Sequence, residues 1–314
     1  MLRTASSVLG LMALSLLGCA EGEMLCRVGA DCPSGLCMSN GMCAMPRDGG
    51  MPDAVALDTG TRRDAHLVMG DTGVPVDTGV RTCMPNRDGI VSRDEVPLRP
   101  GLRATFRIGA NATVSTAGTM MGGVRTWDFS GAYAGDQDVL TELMDPGANW
   151  WAPMFPTATH AARLSNSADT LGVFQITGDA LLLLGVVSPT AGSSQTRLTY
   201  DPPVTVIAFP LQAGSTFTTT SSVSGTASGI FASYTEEYTS VVDAVGTLIT
   251  PFGEMPTLRL RTEMTRRSGF ATLTSVRQFT FVAECFGIAA LMSSNAFETN
   301  VEFTTAAEIR RLAP

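Results

Sequence analysis

The sequence predicts an all-β domain over residues 83–314, built as an antiparallel sandwich or as an open, curved barrel-like sheet. Three observations support this fold class. From residue 96 onward, apolar and polar residues alternate, Thr, Val and Phe are frequent, and Gly or Pro separates the apolar runs. Runs of roughly 5–12 residues joined by short turns are typical of antiparallel sandwiches and barrels.

The predicted strands follow these runs in chain order. Within Leu258–Arg261, Leu alternates with Arg, which places apolar side chains on one face and charged ones on the other. The predicted strands are Leu102–Ile108, Val124–Ser130, Val139–Met144, Leu171–Thr177, Ala180–Val187, Arg197–Tyr200, Val204–Phe209, Thr216–Ser224, Ser233–Val242, Gly246–Thr250, Thr257–Arg266, Thr272–Glu284 and Ile288–Met292. Only Thr304–Leu312 has a pattern that favours a helix.

Residues 1–18 have the pattern of an export signal. One charge at Arg3 precedes an apolar run from Val8 to Leu17, which is shorter than the roughly 20 residues of a spanning helix. The run ends in Leu16-Leu17-Gly18-Cys19, and this stretch resembles the lipobox of bacterial lipoproteins. The resemblance implies cleavage before Cys19, diacylglycerol on its sulfur, and several acyl chains, such as palmitate, that anchor the chain stably.

The position after Cys19 bears on the destination of such a lipoprotein. It holds Ala20 and lacks the Asp that retains many lipoproteins at the inner membrane, so the resemblance implies the outer membrane. Whether the chain then faces the periplasm or the surface stays open. The alternative is an ordinary secretory signal, with Cys19 in a disulfide.

Residues 19–45 form a predicted Cys-rich module. So short a segment cannot build an apolar core, and an exported chain meets an oxidising compartment, so disulfides are expected. The four cysteines after the lipobox are Cys26, Cys32, Cys37 and Cys43. Their spacing resembles small Cys-rich modules of bacterial surface lipoproteins and of some animal extracellular proteins. We favour the pairs Cys26–Cys37 and Cys32–Cys43, although sequence alone does not fix connectivity. Zinc is the competing interpretation, but zinc ligands usually come as closer C-x2–4-C pairs.

Two of the seven cysteines, Cys83 and Cys285, lie outside both the lipobox and the Cys-rich module. Each then has only the other as a partner. The sequence therefore predicts a long-range disulfide between the start of the β-domain and its last strands. The alternative is two free thiols, with Cys285 as a buried core residue.

Residues 46–82 are rich in Asp, Gly, Pro, Thr and Val and contain no aromatic residue. This composition predicts a flexible linker with a root-mean-square span of roughly 35 Å, which would hold the β-domain away from a lipid surface. The triplet Asp-Thr-Gly occurs at residues 58–60, 71–73 and 77–79. Aspartic proteases use the same triplet, but they bury one copy in each of two lobes so that the carboxylates share a proton. A low-complexity linker cannot bury any of its three copies, so we do not interpret them as catalytic.

A degenerate calcium loop follows the linker. Residues 85–95 resemble the EF-hand and dockerin loop when Gly89 supplies the sharp turn at loop position 6. The oxygen ligands would come from Asn86, Asp88, Ile90, Ser92 and Glu95. Position 1 holds Met84 where the loop needs Asp, and Pro97 and Pro100 oppose a following helix. The favoured interpretation is therefore a structural turn that opens the domain, with Ca²⁺ as the alternative.

The residue inventory excludes several functional classes. All 21 basic residues are Arg, which excludes a P-loop lysine and Schiff-base chemistry. His66 and His160 are the only histidines, which excludes a three-His zinc site. The chain has no G-x-S-x-G nucleophile elbow, and its net charge of −8 argues against nucleic-acid binding. Residue His160 is expected to be a loop or core residue.

Two groups of residues invite a catalytic or binding interpretation. The candidate carboxylates are Asp136, Asp138, Glu142, Asp145, Glu236 and Glu237. None has a distinguishing context, and Glu236 and Glu237 face opposite sides of a predicted strand, so they do not form a pair. The aromatic cluster at residues 150–155 suits a sugar platform or an interface, but we favour a loop packed over one end of the core.

The segment from Phe209 to Arg259 has a familiar pattern. It contains Phe209-Pro210-Leu211, a Gly-Ser-Thr-Phe run at residues 214–217, and Gly246–Gly253 followed by Leu258-Arg259. This pattern resembles β-rich domains of many uncharacterised exported bacterial proteins. Together with the Cys-rich module and the Asp-rich linker, it makes the chain most similar to uncharacterised lipoproteins of myxobacteria. The resemblance implies a location and an architecture, and it implies no activity.

These features lead to one expectation and two alternatives. We expect an outer-membrane lipoprotein that acts without catalysis, as an envelope component or through contact with a protein. The first alternative is a carrier that holds lipid or another hydrophobic ligand on a curved sheet. The second is a hydrolase with a carboxylate pair. An enclosed apolar cavity would favour the carrier, a filled core the contact protein, and two facing buried carboxylates the hydrolase.

Overall fold

A computed structural model describes residues 83–314, which confirm the all-β prediction and form a nearly closed, barrel-like antiparallel sheet. The strands are β1 (Ile90–Val91), β2 (Arg103–Thr113), β3 (Thr119–Met121), β4 (Val124–Asp128), β5 (Gln137–Glu142), β6 (His160–Arg163), β7 (Leu171–Ile176), β8 (Ala180–Val187), β9 (Arg197–Ala208), β10 (Leu211–Gln212), β11 (Thr216–Ala227), β12 (Ile230–Ile249), β13 (Glu254–Ser268), β14 (Ala271–Ala283), β15 (Gly287–Ser294) and β16 (Thr305–Ala313). Short 3₁₀ turns occupy Arg93–Glu95 and Ala152–Met154.

Within residues 83–314, twelve strands follow one another in the order β5-β2-β16-β15-β14-β13-β12-β11-β9-β8-β7-β6. Neighbouring strands along this path are antiparallel. The two ends of the sheet meet where Met144 and Ala161 exchange backbone hydrogen bonds of 2.8 and 2.9 Å. This bridge joins the chain after β5 to β6, and it nearly closes the sheet into a barrel.

The β3–β4 hairpin adds a parallel pairing to this sheet. Strand β4 runs alongside β12, with Arg125 opposite Gly246. A Cβ atom at Gly246 would lie only 2.1 Å from the carbonyl oxygen of Arg125. Glycine is therefore required here because the two backbones approach so closely.

The helix predicted at Thr304–Leu312 is wrong, because these residues lie in strand β16. Strand β16 pairs with β15 on one side and with β2 on the other. The spacing of Ala306, Ile309 and Leu312 suits a helical face, but the two neighbouring strands satisfy the backbone groups of this segment along its length. Tertiary pairing therefore overrides the local pattern.

The thirteen predicted strands all overlap observed strands, but some boundaries differ. The two segments predicted at residues 197–200 and 204–209 are continuous in β9, and those at 233–242 and 246–250 are continuous in β12. A bulge between Val242 and Ala244 marks the irregularity in β12. The short strands β1, β3, β6 and β10 were not predicted, because segments of two to four residues give too little alternation.

The inner face of the sheet is apolar near the start of the domain. Leu260 of β13 shares a core cluster with Leu181 and Ile207, which come from β8 and β9 several strands away. Such a contact across the curved sheet identifies this face as the inside. Val91 and Val96 belong to the same cluster, so the chain that enters at Cys83 packs into this part of the interior.

The outer face of the sheet also carries a core. Trp127 and Phe129 pack edge-on against Phe281 of β14, with ring centroids 5.2 and 5.5 Å apart. The segment that contains β3 and β4 thus covers the outside of the neighbouring strands. Residues Phe279–Ala283 of β14 are buried at every position, and the last three of them are all apolar. The reason is that both faces of the sheet are covered here.

The long hairpins β11–β12 and β13–β14 set the length of the domain. Strand β13 has 15 residues, which corresponds to about 50 Å of extended chain. One end of these strands holds the turns at residues 250–253 and 284–286, and we call it the disulfide end because it contains Cys285. The opposite end holds the turns at residues 228–229 and 269–270, and we call it the hairpin end.

Candidate functional site

The predicted disulfide between Cys83 and Cys285 is present, with Cα atoms 5.4 Å apart and a sequence separation of 202. Two hydrogen bonds reinforce it. The Arg87 amide donates to Glu284 Oε2 at 2.8 Å, and the Cys285 amide donates to the Glu95 carbonyl at 2.7 Å. The start of the domain is therefore fixed to the turn between β14 and β15.

Several predictions concern residues outside the described range. They are the signal at residues 1–18, the lipidation site Cys19, the four module cysteines Cys26, Cys32, Cys37 and Cys43, and the linker at residues 46–82. These stay predictions.

The residues of the degenerate calcium loop form a turn and a capping box. Asn86 Oδ1 accepts from the Asp88 amide at 3.0 Å, and Asp88 Oδ1 accepts from the Ile90 amide at 2.8 Å. Glu95 Oε2 accepts from the amide and the hydroxyl of Ser92 at 2.8 and 2.9 Å. In residues 83–314, no group of three or more His, Cys, Asp or Glu is placed to hold a metal ion. These contacts account for a structural turn, and Ca²⁺ binding stays a prediction.

His160 lies in β6 with only 2% of its surface exposed. Its ring stacks on Phe174 at 5.4 Å between centroids, and the Thr159 hydroxyl lies 3.1 Å from Nδ1. Burial, followed by the nearby charge of Arg93, lowers the pKa of His160 to about 4. The imidazole is therefore neutral near pH 7, which fits the core role expected for this residue.

The aromatic cluster at residues 150–155 packs as a loop over the core, as favoured from the sequence. Trp151 is fully buried and shares a core cluster with Phe155 and Leu184. Trp150 Nε1 donates to the Ser188 carbonyl at 3.1 Å. The indole of Trp151 therefore offers no open face to a sugar.

The prediction that Glu236 and Glu237 face opposite sides of a strand is confirmed. Glu237 points outward and forms a 3.4 Å ion pair with Arg267. Glu236 is 1% exposed, and its Oε1 lies 2.7 Å from Nη2 of Arg266. The Tyr238 hydroxyl donates to the other oxygen of Glu236.

Glu236 is the centre of a tyrosine-rich cluster on the inner face. Burial and then the charge of Glu236 raise the pKa of Tyr200, so its hydroxyl stays protonated. The Arg266 guanidinium lies 4.3 Å above the ring of Tyr234. Ser221, directly opposite Glu236 on β11, is fully buried, and its hydroxyl has no partner among the described residues. The interior around Glu236 is therefore occupied by the ion pair with Arg266 and by the Tyr238 hydroxyl that donates to Glu236.

A buried arginine clamps distant segments on the outer face. Arg259 is 4% exposed and binds Asp243 through Nε at 2.9 Å and Glu302 through Nη2 at 2.8 Å. Its guanidinium also lies 4.4 Å above the Phe279 ring. Burial raises the pKa of Glu302, but hydrogen bonds from Arg259 and Thr116 together with the charges of Arg259 and Arg125 outweigh it, so the pKa of Glu302 is lowered. A carboxyl that ionises so readily is poorly suited to act as a general acid.

The other candidate carboxylates are also engaged locally. The pairs are Asp136 with Arg311, Asp138 with Arg107, and Glu142 with Arg103, while Asp145 accepts from the Gly147 amide. Each of these carboxylates is neutralised or capped by its own neighbour. These contacts account for local structure.

The hairpin end carries the most exposed aromatic side chains of the described residues. Phe270, in the β13–β14 turn, is fully exposed at 106%, and Phe231, near the start of β12, is 76% exposed. Ile230 beside it is 74% exposed. We call Ile230, Phe231 and Phe270 the apolar tips. Water contact at three such large side chains is unfavourable, so this surface is a candidate contact site.

The apolar tips lie on neighbouring turns of the sheet. Strands β12 and β13 are paired up to Thr235 and Arg267, within a few residues of each turn. The β11–β12 turn is braced by the β8–β9 loop, because the Gly229 amide donates to the Gln195 carbonyl at 3.1 Å. A Cβ atom at Gly229 would lie 2.4 Å from the Ser193 carbonyl oxygen. The loop therefore holds this tip in place.

Sequence reasoning missed the apolar tips, although a signal was present. Both turns contain Ser-Gly followed by a large apolar residue, at 228–230 and at 268–270. Polar residues usually follow glycine in such turns, so a bulky apolar residue there is unexpected. The clamp around Arg259 had no local signal, because its partners come from residues 16 and 43 positions away.

The comparisons with known proteins give no family. No protein-family model matches the chain, and neither a curated protein nor a solved structure shows significant similarity to it. Among the described residues, no helix has the length and apolar character needed to cross a membrane. The functional argument therefore depends on the residues and contacts described above.

Proposed function

We propose that this protein is a lipid-anchored component of the outer membrane that acts by contact, without catalysis, through the apolar tips. The observation that carries the proposal is the exposure of Phe270 in one turn and of Phe231 beside the neighbouring turn. Apolar residues on a soluble surface are common singly, but a group of them at one end of a domain marks an interaction site.

The position of the chain entry supports this proposal. The described chain starts at Cys83, which the disulfide fixes at the disulfide end. The apolar tips lie at the other end of β13, about 50 Å of extended chain away. A tether that precedes Cys83 therefore joins the domain far from the proposed contact surface.

The carrier alternative has less support. Its ligand would need an enclosed apolar cavity, but Leu181, Ile207 and Leu260 fill one part of the interior. At the level of Glu236, the interior holds the ion pair of Arg266 with the buried carboxylate of Glu236, which is a poor lining for a hydrophobic ligand. Two surface depressions, of about 500 and 540 Å³, are open to solvent beside β4 and at the β5–β6 seam.

The proposal is tested in cells in two steps. Replacement Cys19→Ala should move the full-length protein from the membrane fraction to the soluble fraction, because acylation of Cys19 supplies the anchor. Replacement Cys26→Ala is the matched control, since it removes a cysteine and leaves the lipobox intact. A Cys19→Ala protein that still sediments with membranes contradicts the anchor.

The second step tests contact. A photo-reactive phenylalanine analogue at position 231 should form a discrete adduct in cells, and the same analogue at position 252 should not. Phe252 is also an exposed phenylalanine, at 49%, but it lies at the disulfide end. If position 231 yields no adduct, or the two positions yield the same one, the contact role is refuted.

A further inference from the structure

The charge around the apolar tips differs from that of the whole chain. Residues 225–235 and 264–276, which form the ends of both hairpins, contain two Arg and no Asp or Glu. The whole chain has 29 acidic residues against 21 Arg. The neighbouring strand β9 begins with Arg197, which is exposed and lies opposite Thr226 of β11. Positive charge therefore lies beside the apolar tips on an otherwise acidic protein.

The nearest acidic side chains lie further from the turns than Arg197 does. Glu236 and Glu237, further along β12, pair with Arg266 and Arg267. Asp201 is exposed and equals Arg197 in number, but it lies opposite Ser222, four residues further from the turn than Arg197. An anionic surface would be attracted here and repelled by most of the remaining protein.

The shape of the apolar tips favours a fluid surface over a structured pocket. Phe270 stands in a two-residue turn, and Ile230 and Phe231 directly follow the other turn. All three lie at the ends of the hairpins, with exposed fractions of 74–106%, and Ile230 and Phe231, consecutive in β12, face opposite sides of the sheet. A folded partner would need a matching cavity for each projecting side chain, whereas a lipid surface deforms around them. The Ser and Thr residues that flank both turns can donate hydrogen bonds to headgroup oxygens.

We propose that the apolar tips insert into an anionic lipid surface, with Phe231, Phe270 and Ile230 in the acyl region and Arg197 at the phosphate level. This inference rests on the proposed function, for which it names the chemistry of the contact. The inserted end is the one opposite Cys83, so a chain anchored through Cys19 would present the apolar tips to a second lipid surface or to a second region of the same one.

The test uses the mature chain, residues 20–314, exported with its disulfides, so that no acyl group contributes. Binding is measured by co-sedimentation with vesicles of equal phosphatidylglycerol and phosphatidylcholine, and with vesicles of phosphatidylcholine alone. We expect clear binding to the anionic vesicles and at least tenfold weaker binding to the neutral ones. Added salt should weaken the anionic binding, because it screens Arg197.

A matched pair of double variants isolates the apolar tips. Phe231→Ser with Phe270→Ser should reduce vesicle binding at least tenfold. Phe252→Ser with Phe286→Ser should change it less than twofold, because these two exposed rings, 5.6 Å apart, lie at the disulfide end. Equal losses from both variants would refute insertion at the apolar tips.

A direct readout guards against indirect effects of the substitutions. The single variant Phe270→Trp should show a blue-shifted emission on binding and quenching by brominated acyl chains, whereas Phe252→Trp should show neither. Absence of quenching at position 270 overturns the inference, even if the protein sediments with vesicles.

The outcomes separate this inference from the proposed function. If the parent chain binds neither vesicle but position 231 cross-links to a protein in cells, the lipid inference is wrong and the contact role stands. If the parent chain binds neither vesicle and position 231 gives no adduct, both are wrong.

Discussion

Arg259, Arg266 and Arg311 show how single residues stabilise this sheet. Each binds a carboxylate and also lies over an aromatic ring, at 4.4, 4.3 and 4.5 Å from the ring centroid respectively. A planar guanidinium can donate in its plane and stack on its face at once, whereas the compact lysine ammonium cannot. Arginine therefore makes a combination of contacts at these three sites that lysine could not make.

Arg259→Lys tests this role of arginine. We expect a loss of about 2 kcal/mol in the free energy of unfolding, because an ammonium cannot reproduce the two-nitrogen contacts with both Asp243 and Glu302 and gives up the stack on Phe279. Chemical denaturation of the mature chain measures the loss. Arg103→Lys is the control, since the exposed pair with Glu142 should contribute less than about 0.5 kcal/mol. Equal effects from the two substitutions would show that the clamp is unimportant.

At the scale of single residues, the sequence predicted which side of a strand a residue faces better than which residues it contacts. Strand alternation predicted that Glu236 and Glu237 face opposite sides, and the structure confirms it and shows that Glu236 is the buried one. The partners of Arg259 could not be predicted, because ion pairs between distant segments depend on register and on crossings that no local pattern encodes.

At the scale of elements, alternation located most strands and failed where pairing decided the outcome. Strand β16 has the spacing of a helix but lies between β15 and β2. The sequence pattern did not predict the parallel pairing of β4 with β12 either, because this pairing depends on a close approach of two backbones at Gly246.

Gly246→Ala tests that close approach. The added Cβ would lie 2.1 Å from the Arg125 carbonyl oxygen and 2.9 Å from the Trp127 ring, so β4 must shift away from β12. We expect a destabilisation of about 1–3 kcal/mol, the usual range for overpacking. Thermal unfolding measures it, with Gly178→Ala as the control because nothing lies within 4 Å of a Cβ there. If the Gly246→Ala protein unfolds at the same temperature as the control, β4 can shift away from β12 without loss of stability.

At the scale of the whole molecule, the Cys83–Cys285 disulfide gives the domain two unlike ends. It fixes the chain entry beside the β14–β15 turn, while the apolar tips lie at the opposite end of the same long strands. This separation of entry and contact surface is what both proposals require.

Loss of the disulfide should lower the stability of the domain. The bond closes a loop of about 200 residues, for which the chain-entropy account gives about 4–5 kcal/mol. Urea unfolding should show this loss for Cys83→Ser with Cys285→Ser, and each single replacement should lose about as much, because either one removes the same link. Single losses that simply add up to the double loss would contradict this explanation.

The sequence by itself determined the all-β class, the pairing of Cys83 with Cys285, and most strand positions, because alternation and cysteine count are local or combinatorial properties. It also supplies the lipobox resemblance at Cys19, which stays a prediction. Only the tertiary structure decided that β16 is a strand, that the sheet nearly closes, and that Phe231 and Phe270 lie exposed at the same end. The physical reason is that strand pairing joins residues far apart in the chain, and exposure is known only once every neighbour is placed.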